Sequence, residues 1–111
     1  MRPGDVVWVD FGIPAGSEPG FVRPAILVTA DLILRSNPRT VHVVPTTTNV
    51  TRGLPTEVPV EADRLVQPSS AQSHLCTVIS TERILRSDDS NIGSTSLAQI
   101  RSLIADLLDI P

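Results

Sequence analysis

Apolar residues in this chain come in short runs, and many of them alternate with polar positions, the period-two pattern of half-buried strands. In residues 5–11, Val7 and Val9 alternate with Val6 and Trp8, which predicts a first strand. Residues 12–21 read G-I-P-A-G-S-E-P-G-F, and three glycines and two prolines in one stretch predict a loop that is long for a hairpin. Residues 23–29 (R-P-A-I-L-V-T) predict a second strand whose continuous apolar run implies burial on both faces, with Pro24 confined to its start or to an edge. Residues 31–35 fit one short helical turn, broken at Asn37-Pro38. A third strand spans 40–45, with Val41 and Val43 on one face and His42 and Val44 on the other. A polar loop follows over 46–53, then a short strand over 55–60 that Pro55 and Pro59 mark as an edge. Residues 70–75 and 76–80 predict one or two further strands, 81–87 a short turn of helix and 88–93 a turn.

The pattern then changes period. Leu97, Ile100, Ile104, Leu107 and Leu108 fall three or four apart and form one apolar stripe, while Arg101, Asp106 and Asp109 fall off it. This predicts a C-terminal helix with Ser96 and Gln99 at capping-box spacing and Pro111 at its end. The stripe is expected to face the core rather than a partner. The strands are too few and too short for a two-sheet sandwich of ordinary size. The expected fold is therefore β-rich α+β: a small, strongly twisted, half-open β-barrel with short helices and an amphipathic C-terminal helix over one barrel end or sheet face.

Composition narrows the setting. A chain of 111 residues, 41% of them hydrophobic, makes one domain with a real core. No apolar stretch approaches the roughly 18 residues of a membrane span, and the first residues lack a signal-peptide core, so the expected address is the cytoplasm. Cys76 stands alone, which leaves no disulfide framework and no Cys/His zinc cage. All nine basic residues are arginine, which fits the GC-rich coding of an actinobacterium such as a mycobacterium. A net charge of −3 argues against broad nonspecific binding to nucleic acid, yet leaves room for a small arginine-bearing cleft.

The usual catalytic groups are sparse. His42 and His74 are the candidates for acid–base work, but His42 sits mid-strand among apolar neighbours and reads as packed. Cys76 lies in the run L-C-T-V-I and reads as core, and the Asp88-Asp89 pair as a solvated turn. The stronger feature is local: the polar loop Gly16-Ser17-Glu18-Pro19-Gly20 runs straight into Arg23-Pro24, so that a strand would hold an arginine while the loop moves over a ligand. Thr46, Thr47 and Thr48 follow the third strand. Whether they meet Arg23 is left open, because the pairing of the strands is not legible at this level.

Taken in order, G-D-V-V-W-V-D-F (residues 4–11), G-S-E-P-G-F-V-R-P (16–24), V-V-P-T-T (43–47) and G-L-P-T-E-V (53–58) resemble the MazF/PemK-like toxins across nearly the whole chain. The resemblance implies an SH3-like (CcdB-like) barrel that forms a homodimer. It also implies a sequence-specific endoribonuclease that cuts single-stranded RNA without metal or cofactor, stops translation and is neutralised by a MazE-like antitoxin. Arg23 and Thr47 match the family's catalytic arginine and threonine. Ser17 and Glu18 match loop positions that contact RNA near the scissile phosphate. Phe21 is placed to stack on a base, and Thr46, Thr48 and Arg52 to touch RNA around the site. Many relatives carry a basic residue in the late strand where Thr77 stands here, so Thr77 is expected to contact RNA in its place. The implied reaction is attack of a ribose 2′-OH on the adjacent phosphorus, giving a 2′,3′-cyclic phosphate and a 5′-hydroxyl. Two other readings stay beside it: a toxin of the same fold that poisons DNA gyrase, against which the chain end lacks a tryptophan, and a catalytically silent barrel adaptor. The expected antitoxin segment is acidic and partly disordered, covering the arginine.

Overall fold

The computed structural model describes residues 1–111, except for the side chain of Asp88. Its strands are β1 (Asp5–Asp10), β2 (Val22–Leu27), β3 (Thr40–Thr47), β4 (Glu57–Val60), β5 (Ser69–Gln72), β6 (Thr77–Ser80) and β7 (Ile84–Asn91), and its helices are α1 (Asp31–Arg35) and α2 (Ser94–Leu107). The strands form one antiparallel sheet in the order β4-β5-β3-β2-β1-β7. β3 serves two partners along one edge: its first half pairs with β6 (Val43↔Thr77) and its end with β5 (Thr47↔Ser70). That switch curls the sheet into a half-open barrel, as the strand pattern predicts.

Both faces of the central strands are covered. Val6, Ile26, Val28, Val44, Val58, Val60 and Ala71 pack with Leu97 and Ile100 of α2 on one side. Val7, Val9, Ala25, Leu27, Val41, Val43 and Ile79 pack on the other, flanked by Phe11, Leu34 and Ile84. The continuous apolar run of β2 has this physical cause: Ala25, Ile26 and Leu27 are all fully buried, on alternate faces.

Three elements depart from expectation. Residues 81–87 and 88–93 were expected as a helical turn and a turn; instead a 3-10 turn at Thr81–Arg83 leads into β7. β7 lies along β1, with Val9↔Ile84 and Trp8↔Arg86 in register, so a long-range partner overrides the local turn chemistry of S-D-D-S-N. The Asp88 side chain, half of the acidic pair, lies outside the described residues. α2 starts at Ser94 with Gly93 (φ 86°) as its N-cap, so Ser96 and Gln99 sit inside the helix and make no capping box. Its stripe divides: Leu97 and Ile100 are core, whereas Leu107 and Leu108 are exposed. Finally, β3 runs two residues past the predicted end and carries Thr46 and Thr47 as strand residues. Among the described residues no helix is long and apolar enough to cross a membrane.

Candidate active site

β2 and β3 are direct antiparallel neighbours, paired Ala25↔Pro45, Ile26↔Val44 and Leu27↔Val43. In such a pair the start of one strand lies beside the end of the next. Two residues along this register, Arg23 stands opposite Thr47, and opposite residues are about 5 Å apart. Val9 pairs with Arg23, Thr47 with Ser70 and Ser70 with Pro59, so one row crosses five strands as Val9, Arg23, Thr47, Ser70 and Pro59. This row lies on the sheet face turned away from α2. Continued by two residues, the strand register puts Arg23 and Thr47 on the same face at the same end of the sheet.

The Arg23 guanidinium makes no hydrogen bond or ion pair among the described residues, whereas its stem is half-buried in the sheet. Thr47 Oγ1 accepts the Asn49 N–H at 3.1 Å, which orients the hydroxyl and leaves its proton free to donate outward. A cation with five donors beside a hydroxyl donor, both unengaged toward solvent, suits an oxyanion such as a phosphodiester.

The β1–β2 loop joins its strands at the same sheet end. Phe11 and Phe21 close its base: the Phe11 N–H donates to Phe21 O at 2.9 Å and the Phe21 N–H to Gly12 O at 2.6 Å. Inside it, the Ala15 N–H donates to Glu18 Oε1 at 2.9 Å, so Glu18 folds its own turn with one oxygen and keeps the other. Gly20 packs so tightly on Pro14 that a Cβ there would stand 2.5 Å from the proline ring. Ser17 and Glu18 are at the exposed tip. Phe21 takes φ 59° at the base and presents a 64% exposed ring beside the start of β2.

The β3–β4 loop leaves the same end. It carries Thr48, exposed, and Arg52, whose guanidinium bonds Glu57 Oε2 at 2.6 Å. Glu57 Oε1 accepts the Leu54 N–H at 3.0 Å. The Arg52 hydrogen bond holds the Glu57 carboxyl below the usual carboxylate range, against the opposing pull of desolvation. Arg52 thus closes its own loop.

Other residues fall away from the row. Thr46 was expected to touch RNA, but it is buried on the opposite face and its hydroxyl donates to Pro24 O at 2.8 Å. Thr77 pairs with Val43, four residues before Thr47, which places it about 13 Å along β3 from the row. His42, expected to be packed, is exposed, while its backbone N–H bonds Thr29 Oγ1 at 2.8 Å. His74 lies in a 3-10 turn with Nδ1 2.7 Å from Thr56 Oγ1. Cys76 is partly buried against the core, and desolvation raises its thiol pKa, which suits packing rather than nucleophilic work.

Two residues of the site escape a reading of the sequence. Ser70 belongs to the row, and Gln72, equally buried, has a side-chain oxygen without a partner among the described residues. The run S-S-A-Q-S carries no hydrophobic signal, so its complete burial shows only once β5 is wedged between β3 and β4. Among the described residues no three acidic, histidine or cysteine side chains converge as metal ligands.

A family model described as PemK-like, MazF-like toxin of type II toxin–antitoxin systems matches residues 2–108. The chain belongs to the PemK/MazF-like toxin family. A relative from Mycobacterium tuberculosis, named Endoribonuclease MazF9, is 33% identical over 109 residues, covering 93% of this chain and 89% of that protein. The crystal structure of MazF from Deinococcus radiodurans superimposes with a TM-score of 0.83 at 23% identity, covering 98% of this chain and 96% of that one. A MazE–MazF complex from the same organism aligns with a TM-score of 0.74 at 20% identity, covering 100% and 97%. These solved structures show the MazF fold for this chain.

Proposed function

We propose that this MazF-like toxin is a metal-independent endoribonuclease that cuts single-stranded RNA at a short sequence and so halts translation in the cytoplasm. One observation carries the reading: the strand register brings an unpaired arginine and a preoriented threonine hydroxyl to one face at one sheet end, from which the loop bearing a serine and a carboxylate also leaves. The name of the 33% identical relative supports the activity class.

In this reading the RNA backbone crosses the row with one phosphate between Arg23 and Thr47. Arg23 grips its non-bridging oxygens bidentately and stabilises the charge that builds on the phosphorane. The planar guanidinium is a fixed fork of hydrogen-bond donors with no acceptor, so its task is electrostatic and not proton abstraction. The ribose 2′-OH attacks the phosphorus, and the free oxygen of Glu18 takes its proton when the loop closes on RNA. The bond to the 5′ oxygen breaks as Thr47 donates a hydrogen bond to that oxygen, which takes its proton from solvent water, while Glu18 returns its own to solvent. The products are a 2′,3′-cyclic phosphate and a 5′-hydroxyl. Ser17, Thr48 and Phe21 line the RNA path around that phosphate, Phe21 by stacking on a base. Arg52 contributes through the loop that it closes, and Thr77 could meet only a distant nucleotide.

The partners follow from the surface. Exposed Ile33 and Leu108 line a cavity of about 560 Å³ together with His42, Cys76, Arg101 and Ile104. An apolar face of this kind suits a homodimer. A MazE-like antitoxin would inhibit by laying an acidic segment over Arg23, and the similarity to MazF seen in complex with MazE supports such a partner.

Purified toxin incubated with a long single-stranded RNA in EDTA is expected to give discrete cuts that recur at one short sequence when the 5′ ends are mapped. Intact RNA from folded, antitoxin-free protein would return the protein to a binding role.

A further inference from the structure

Between Arg23 and Thr47 lies a weak point of the sheet. The register of β2 on β3 closes at Ala25↔Pro45. One position further Pro24 stands opposite Thr46, and proline has no N–H to return to its partner. Along the same edge, Val28 does use its donor, bonding His42 O at 3.1 Å. At the end where the site is built, that donor is missing. The Thr46 hydroxyl does not restore that bond but ties the strands by a separate one: Oγ1 donates to Pro24 O at 2.8 Å, and Thr46 is 5% exposed. Its chain neighbour is Thr47, and the chain neighbour of Pro24 is Arg23.

We propose that Thr46 is a positioning residue for RNA cleavage, its buried hydroxyl clamping β3 to β2 at Pro24 so that Thr47 is held opposite Arg23. The inference rests on the ribonuclease reading above. It predicts that the hydroxyl matters for the cleavage step and not for holding RNA, because Thr46 faces the side of the sheet away from the row. A misplacement of about 1 Å between catalytic groups can cost about a hundredfold in rate.

The test compares wild type, T46S, T46V and T46A in single-turnover cleavage, with affinity measured separately on an oligonucleotide blocked by 2′-deoxy substitution. Circular dichroism selects the folded variants, and either T46V or T46A suffices as the hydroxyl-free one. The expected result is a cleavage rate about 10- to 100-fold lower without the hydroxyl, affinity within about threefold, and recovery in T46S to within about threefold. Placed on R23A, the same substitution should add little, since both act on one arrangement. The proposal is overturned if the hydroxyl-free variant cleaves like wild type, if folded T46S is as slow as T46V, if affinity falls in place of rate, or if the losses with R23A simply multiply. A wild-type toxin that leaves RNA intact would instead overturn the ribonuclease reading.

Discussion

Replacing Arg23 by alanine is expected to slow RNA cleavage by about a hundred- to a thousandfold, the usual loss when one preorganised donor is taken from a developing oxyanion. Arg23 is the one cation of the row, and the described carboxylates leave it unpaired. Its charge is therefore available to substrate without first breaking a salt bridge. Lysine should recover only part of the loss, because a point charge cannot grip two oxygens at once. Stability should change by less than about 1 kcal/mol, since no partner of the guanidinium is lost with it. Single-turnover rates with thermal melts of wild type, R23A and R23K check this. R23A cutting at the wild-type rate would remove the arginine from the site.

A second large effect concerns the core. Ile26→Ala is expected to destabilise the toxin by about 2–5 kcal/mol, the range for emptying a large buried side chain. Ile26 is fully buried between Val6 of β1 and Val44 of β3, and its side chain packs in the cluster that includes Leu97 and Ile100 of α2. A cavity there loosens the sheet from the helix, and the flanking strands leave little scope for collapse. For a domain stable by only about 5–15 kcal/mol, this is a large fraction. Leu107→Ala, at the exposed end of the same helix, should cost far less in the monomer. Urea unfolding at one fixed protein concentration reads both, since self-association would otherwise shift the midpoint. An I26A loss below 1 kcal/mol would contradict this account of the core.

Strands with clear alternation or a dense apolar run were legible in the sequence, as β1, β2 and the first half of β3 show. The C-terminal helix was legible from its stripe, but its start was not, because Gly93, two residues past β7, takes the cap that the spacing assigned to Ser96. β7 was hidden: I-L-R-S-D-D-S-N reads as a turn until β1 is available to pair with it. At the site, Arg23 stands out from its loop-to-strand setting and Thr47 from motif resemblance, but their placement on one face at one sheet end is a property of register, which local pattern does not encode. Thr46 shows the limit most clearly. Adjacent threonines look alike in sequence, yet the pleat turns Thr47 to the open row and Thr46 inward to Pro24. Burial of S-S-A-Q was equally unreadable, because polar side chains announce no core.

The most direct test of the account replaces a single ribose. Once the cut is mapped, an oligonucleotide with 2′-deoxyribose on the 5′ side of the scissile phosphate is incubated with the toxin. Attack by the 2′-OH predicts that this strand binds like the all-ribose strand and stays uncut at that bond. Cleavage of the deoxy strand at the same bond would mean that another nucleophile reaches the phosphorus, and the mechanism built on Arg23 and Thr47 would be wrong.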